Sequence, residues 1–96
     1  MLVEITARHF EASDKLKKYV NRELEKLPKY FDRIMDTKVI LEEIKEKQYK
    51  IEIHCNVPGK SLLAEASDTE PTKATDDVVN KMIRQLKKYK DGLKNH

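Results

Sequence analysis

The chain reads as an α+β two-layer sandwich: a four-stranded, mainly antiparallel sheet with two helices on one face, in the order β-α-β-β-β-α. Three observations predict this. Residues 49–57 alternate without a break, Tyr49, Ile51, Ile53, Cys55 and Val57 against Lys50, Glu52, His54 and Asn56. That is the pattern of an antiparallel strand covered on one face only. Helical periodicity is confined to two segments, one early and one at the end of the chain. The 96 residues leave room for one modest core, so residues 1–96 are expected to form one domain.

Each element has its own signature. Residues 1–8 place Val3, Ile5 and Ala7 on one face and Glu4 and Thr6 on the other, which predicts a strand. Ser13 or Asp14 can cap a helix running to about Leu27, where Pro28 discourages its continuation. The apolar stripe of that helix is Leu16, Tyr19, Val20, Leu24 and Leu27. Residues 36–44, with Val39, Ile40 and Ile44, predict the second strand. Pro58-Gly59 turns the chain after the third strand, and Leu62, Ala64 and Ala66 line the inner face of the fourth. Pro71 suits the first turn of the second helix, expected to run to about Asp91 before Gly92 allows a stop. Tyr30 and Phe31, at the exit of the first helix, are read as core plugs rather than stacking platforms.

Composition bounds the function. Hydrophobic and charged residues each make up 39%, and the single cysteine excludes an internal disulfide. A reducing cytoplasm is therefore the expected compartment. No apolar run approaches the ~20 residues of a membrane span, and the N-terminus lacks the apolar core of a signal peptide. The net charge is only +3, but it is unevenly spread. Residues 65–77 hold five acids and one lysine, whereas residues 81–96 hold five lysines and one arginine against one aspartate.

That last stretch lies on the second helix. Val78, Val79, Met82, Leu86, Tyr89 and Leu93 fall in one arc of a helical wheel. Lys81, Arg84, Lys87 and Lys88 fall opposite, with Lys90 and Lys94 at the margin. Lysines favouring a helix C-terminus explain two or three such cations comfortably and six poorly. On the first helix, Lys15, Lys18, Arg22, Lys26 and Lys29 form a second cationic stripe, partly offset by Glu23 and Glu25. Two such helices side by side suit a phosphate backbone. Base readout is not indicated, because Tyr19 and Tyr89 lie on the apolar arcs.

Catalytic constellations are absent. His9, His54 and His96 have no metal-ligand spacing, and adjacent His54 and Cys55 on a strand point to opposite faces. Cys55 reads as a small core residue. Two glycines cannot build a Gly-rich phosphate loop. The expectation is a protein that is not an enzyme, with no cofactor, no metal and no small-molecule substrate.

The run from Asp76, DDVVNKMIRQLKKYKDGLKNH, resembles the second helix of the ribosome hibernation promoting factor and ribosome-associated inhibitor A family, also called sigma-54 modulation proteins. KLPKYFDRI, from Lys26, is similar to the family's exit from the first helix. The element order matches over nearly the whole chain and is related to double-stranded-RNA-binding domains. The resemblance implies a stress and stationary-phase factor that binds the small ribosomal subunit and its rRNA, occludes the mRNA and tRNA channel, and inhibits translation. It implies rRNA contact by Lys26, Lys81, Arg84, Lys88 and Lys90, to which the stripes add Arg22 and Lys87.

Two positions depart from the family pattern: Glu23 stands where lysine is common, and Thr72 where an aromatic is usual. Without an acidic tail or a second domain before His96, a short form is expected, monomeric away from the ribosome and without membrane contact. The competing readings are a stand-alone double-stranded-RNA-binding module and a protein-interaction regulator of a sigma factor.

Overall fold

The computed structural model describes residues 1–94; His96 and the side chain of Lys94 lie outside the described residues. Four strands form one sheet in the order β1-β2-β3-β4: β1 (Leu2–Arg8), β2 (Asp36–Lys45), β3 (Gln48–Val57) and β4 (Lys60–Asp68). The helices are α1 (Asp14–Leu24) and α2 (Pro71–Lys94). β1 and β2 are parallel, because a helix-containing crossover joins them, and the other two pairings are antiparallel.

Register follows the hydrophobic alternation. Val3, Ile5 and Ala7 pair with Thr37, Val39 and Leu41, which pair in turn with Cys55, Ile53 and Ile51. Ile51, Ile53 and Cys55 then oppose Ala66, Ala64 and Leu62. One face of the sheet is thereby apolar, and α2 lies across its β3 and β4 side. Val39, Leu41, Ile51, Ile53, Val57, Val78, Met82 and Leu86 are almost wholly buried. Each such side chain contributes ~1.5–3 kcal/mol through removal from water. The polar Thr37 enters this layer with its hydroxyl donating to Met1 Sδ at 3.1 Å, beside Cys55 Sγ at 3.5 Å. At the β3–β4 hairpin, Val57 pairs with Lys60 across Pro58-Gly59, and Gly59 has a φ of 81°. A side chain there would be strained, and proline followed by a left-handed glycine is what a type II turn requires.

Two boundaries differ from expectation. α1 ends at Leu24, not Leu27, and Leu27–Lys29 form a separate 3-10 turn. Pro28 has no N–H to donate to the Leu24 carbonyl, so the α-helical ladder breaks there and the chain tightens, with Tyr30 N–H donating to the Leu27 carbonyl at 3.0 Å. α2 continues through Gly92 to Lys94, because Gly92 does not enter the left-handed conformation that a glycine stop uses. Leu93, assigned by the wheel to the apolar arc, is consequently 39% exposed.

Candidate nucleic-acid interface

α2 starts with its N-terminal third anchored and ends with its charged surface open. Thr75 Oγ1 donates to the Pro71 carbonyl at 2.7 Å, and Asp76 Oδ1 accepts the Tyr19 hydroxyl of α1 at 2.6 Å. That bond pushes the Tyr19 phenol up to about 12. Beyond it, buried Val78, Val79, Met82 and Leu86 hold the helix to the sheet, so the polar positions between them must face outward. Arg84, Lys87, Lys88 and Lys90 are all exposed there. Among the described residues, none of the four forms an ion pair with a carboxylate.

The four cations fan out. Lys87 Nζ lies 5.0 Å from the ring centre of Tyr30, a cation–π contact with the turn that follows α1. Lys90 borders an open groove of about 350 Å³ together with Lys29 and Arg33. Lys88 borders a second groove on the opposite flank, with Lys60 and Tyr89. Lys81 behaves differently: its Nζ donates to the Glu65 carbonyl of β4 at 2.9 Å. One turn on, Gln85 Nε2 donates to the Leu63 carbonyl at 2.6 Å, and the Tyr89 hydroxyl donates to the Pro58 carbonyl. Positions 81 and 85 thus cover the free edge of β4, whose carbonyls would otherwise invite another strand, and position 89 ties down the hairpin turn that leads into it. Lys81 keeps two unspent N–H groups, but its head is turned to the sheet edge.

On α1, Arg22 is exposed, its guanidinium 5.6 Å from the Tyr19 ring centre. Lys26 Nζ instead pairs with Glu23 Oε1 at 2.8 Å, and that bond raises the lysine's pKa. The Glu23 departure therefore has a local consequence: it partly neutralises Lys26. Because Asp76 and Glu23 both lie where the helices meet, the two basic stripes flank a seam carrying acids and do not merge across it.

The aromatic expectations divide. Phe31 is buried, 4% exposed, and packs edge-to-face on Tyr89 with ring centres 5.4 Å apart. Tyr30 is 36% exposed and lies on the surface, contrary to its reading as a core plug, because the 3-10 turn rotates it away from the sheet. Arg33 and Lys60 escaped sequence reasoning. The hairpin register around Pro58-Gly59 could have located Lys60, but no periodicity reaches the irregular segment holding Arg33.

Cys55 is fully buried, and burial pushes its thiol up. No group of three or more His, Cys, Asp or Glu among the described residues could hold a metal. No described helix is long and apolar enough to cross a membrane.

The family model described as Sigma 54 modulation protein / S30EA ribosomal protein matches residues 3–94. The ribosome hibernation promoting factor of Escherichia coli K12 is 32% identical over 96 residues, covering all of both chains. The factor of the same name from Pseudomonas putida is 33% identical over 91 residues, 95% of this chain and 88% of its own length. A solved ribosomal subunit interface protein from Coxiella burnetii superposes with a TM-score of 0.88 at 23% identity. It covers 95% of this chain and 99% of its own, and it shares the fold. The chain belongs to the Sigma 54 modulation protein / S30EA ribosomal protein family.

Proposed function

We propose that this family member is a non-catalytic ribosome hibernation factor. Its single ribosome-binding domain seats the helix layer on the rRNA of the small subunit, where it occludes the mRNA and tRNA channel and inhibits translation. Arg84, Lys87, Lys88 and Lys90 contact phosphates from α2, Arg22 and Lys26 from α1, and Lys81 from the β4 flank with its spare N–H groups. The observation that carries this reading is the open cationic face of α2 in a chain about one-third identical to ribosome hibernation promoting factors. An exposed lysine or arginine with no acid to satisfy it is a ready partner for phosphate, and releasing the counterions around rRNA drives the association.

The mechanism is mutual exclusion. A protein and an mRNA that need the same channel cannot both be bound, so each weakens the other's apparent affinity by the same factor. Inhibition should then be stoichiometric. In cell-free translation with added protein, half-maximal loss is expected at about one protein per two ribosomes when binding is tight, with relief by excess initiator tRNA and mRNA. Time-dependent inactivation by far fewer molecules than ribosomes, with cleaved or modified rRNA, would identify a catalyst and end this proposal.

A further inference from the structure

At the opposite end of the helix layer from Lys90, a groove of about 390 Å³ opens between the start of α1, the start of β3 and the start of α2. Its volume falls in the ~300–1,000 Å³ range of small-ligand sites. The floor is aromatic and apolar. Phe10 and Tyr49 meet edge-to-face with ring centres 5.3 Å apart, and Leu16 and Tyr19 complete the lining. All four are only half-buried, so ring surface remains open to the groove. The rim carries two cations, Lys15 and Arg22, and one acid, Glu11. Thr72, exposed on the first turn of α2, leaves the mouth open.

We infer that this groove receives an unpaired base of an RNA strand, stacked face-on against one ring of the Phe10, Tyr19 and Tyr49 cluster and bordered by the others, with its flanking phosphates on the α1 cations. Aromatic rings accept any base through its π-face, whereas phosphate selects the cationic rim. An RNA strand, rather than a free nucleotide, is favoured by the continuation of the charge. Lys15 and Arg22 belong to a stripe with Lys18 that runs along the exposed side of α1. Phosphates neighbouring the bound base would meet cations a single nucleotide could not reach. The inference deepens the reading above, that the helix layer meets rRNA, by adding a single-stranded contact to the backbone contacts of α2.

The test uses the whole chain and three probes: a single-stranded RNA octanucleotide, AMP, and an RNA duplex of about 16 base pairs. Ring resonances of Phe10, Tyr19 and Tyr49 should shift on adding the octanucleotide. Thr72→Phe, which places a ring over the groove from an exposed position, should weaken octanucleotide binding about tenfold, the scale of losing one stacked base, while duplex binding stays within about twofold. Lys15→Ala, which touches no packing, should weaken it by a smaller factor and serves if Thr72→Phe perturbs the fold. Unmoved rings, or equal losses for octanucleotide and duplex in both variants, would overturn the inference. So would AMP binding as tightly as the octanucleotide, which would mark a free-nucleotide site. Ribosome cosedimentation is scored separately. A chain that fails to cosediment yet binds the octanucleotide in this way refutes the proposed function and leaves the groove intact.

Discussion

On the outer face of the sheet, Lys50 lies 3.2 Å from Glu52 and 3.7 Å from Glu42, and both His54 and His9 lie within 3.4 Å of one of those two carboxylates. On the outer face of α2, Arg84, Lys87, Lys88 and Lys90 have no ion-pair partner among the described residues. The difference comes from how each element spaces its charges. Strand register sets Glu42 directly opposite Lys50, and Glu52 shares their face two residues on, so opposite charges meet by construction. On α2 the acids Asp76 and Asp77 sit early and the cations late, with Asp91 as the lone acid between residues 81 and 93. Pairing at i,i+3 or i,i+4 is thereby mostly denied. Interleaved charge gives a self-satisfied surface, and segregated charge leaves one that must find its anions elsewhere.

The sharpest way to break this comparison is to reverse charge on each face. Arg84→Glu with Lys88→Glu should abolish ribosome cosedimentation near physiological salt while leaving the circular dichroism spectrum unchanged, since both side chains are exposed. Lys50→Glu should leave binding close to the parent. For the parent, five to seven phosphate contacts correspond to a slope of log affinity against log salt of about −4 to −6. The double reversal should flatten that slope by about 2. Equal losses from the two faces would show that segregation of charge is not what selects the binding surface.

A smaller effect is expected at the seam between the helices. Tyr19→Phe removes the hydroxyl bond to Asp76 and should cost ~0.5–1.5 kcal/mol of stability. The linkage has a definite sign. The native state holds the phenol protonated, with its pKa raised from 10.0 to about 12. The bond's contribution is therefore complete below pH 10 and fades as pH rises through about 12. Chemical denaturation at increasing alkaline pH should show a steeper loss for the parent than for Tyr19→Phe. Parallel curves would mean that the seam is not held by this bond.

The smallest effect belongs to the sheet face. Glu52 is held below its usual carboxylate range by hydrogen bonds from His54 and Lys50. A depressed carboxylate stabilises the fold above its unfolded pKa, and that contribution is lost as pH falls through the lower native value. Glu52→Gln should cost less than ~1 kcal/mol at neutral pH and flatten the acid limb of the stability curve. An unchanged acid limb would show that the sheet-face network is ornamental to stability.

How much of the interface was legible in advance differs by residue. The outward placement of Arg84, Lys87, Lys88 and Lys90 follows from helical periodicity alone, because burying Met82 and Leu86 leaves those positions no other side to occupy. Lys81 shares their arc on a wheel, yet its ammonium goes to the Glu65 carbonyl. A wheel describes one helix and contains no neighbouring strand edge. Lys26 is likewise on the α1 stripe but is claimed by Glu23, three residues back.

The order of elements, the inner faces of β1, β3 and β4 and the apolar side of both helices were determined by the sequence by itself, since alternation and 3.6-residue periodicity are local and a slip would turn the apolar set into water. β2, where Val39, Ile40 and Ile44 do not alternate and Ile44 is exposed, took its inner face from its neighbours. Only the tertiary structure decided three other matters: the parallel pairing of β1 with β2, the surface position of Tyr30, and the meeting of Phe10, Tyr19, Tyr49 and Thr72 around one groove. These join residues far apart in the chain or rest on irregular backbone. Such positions are set by which elements share the sheet and how their ends converge, and no local period records either.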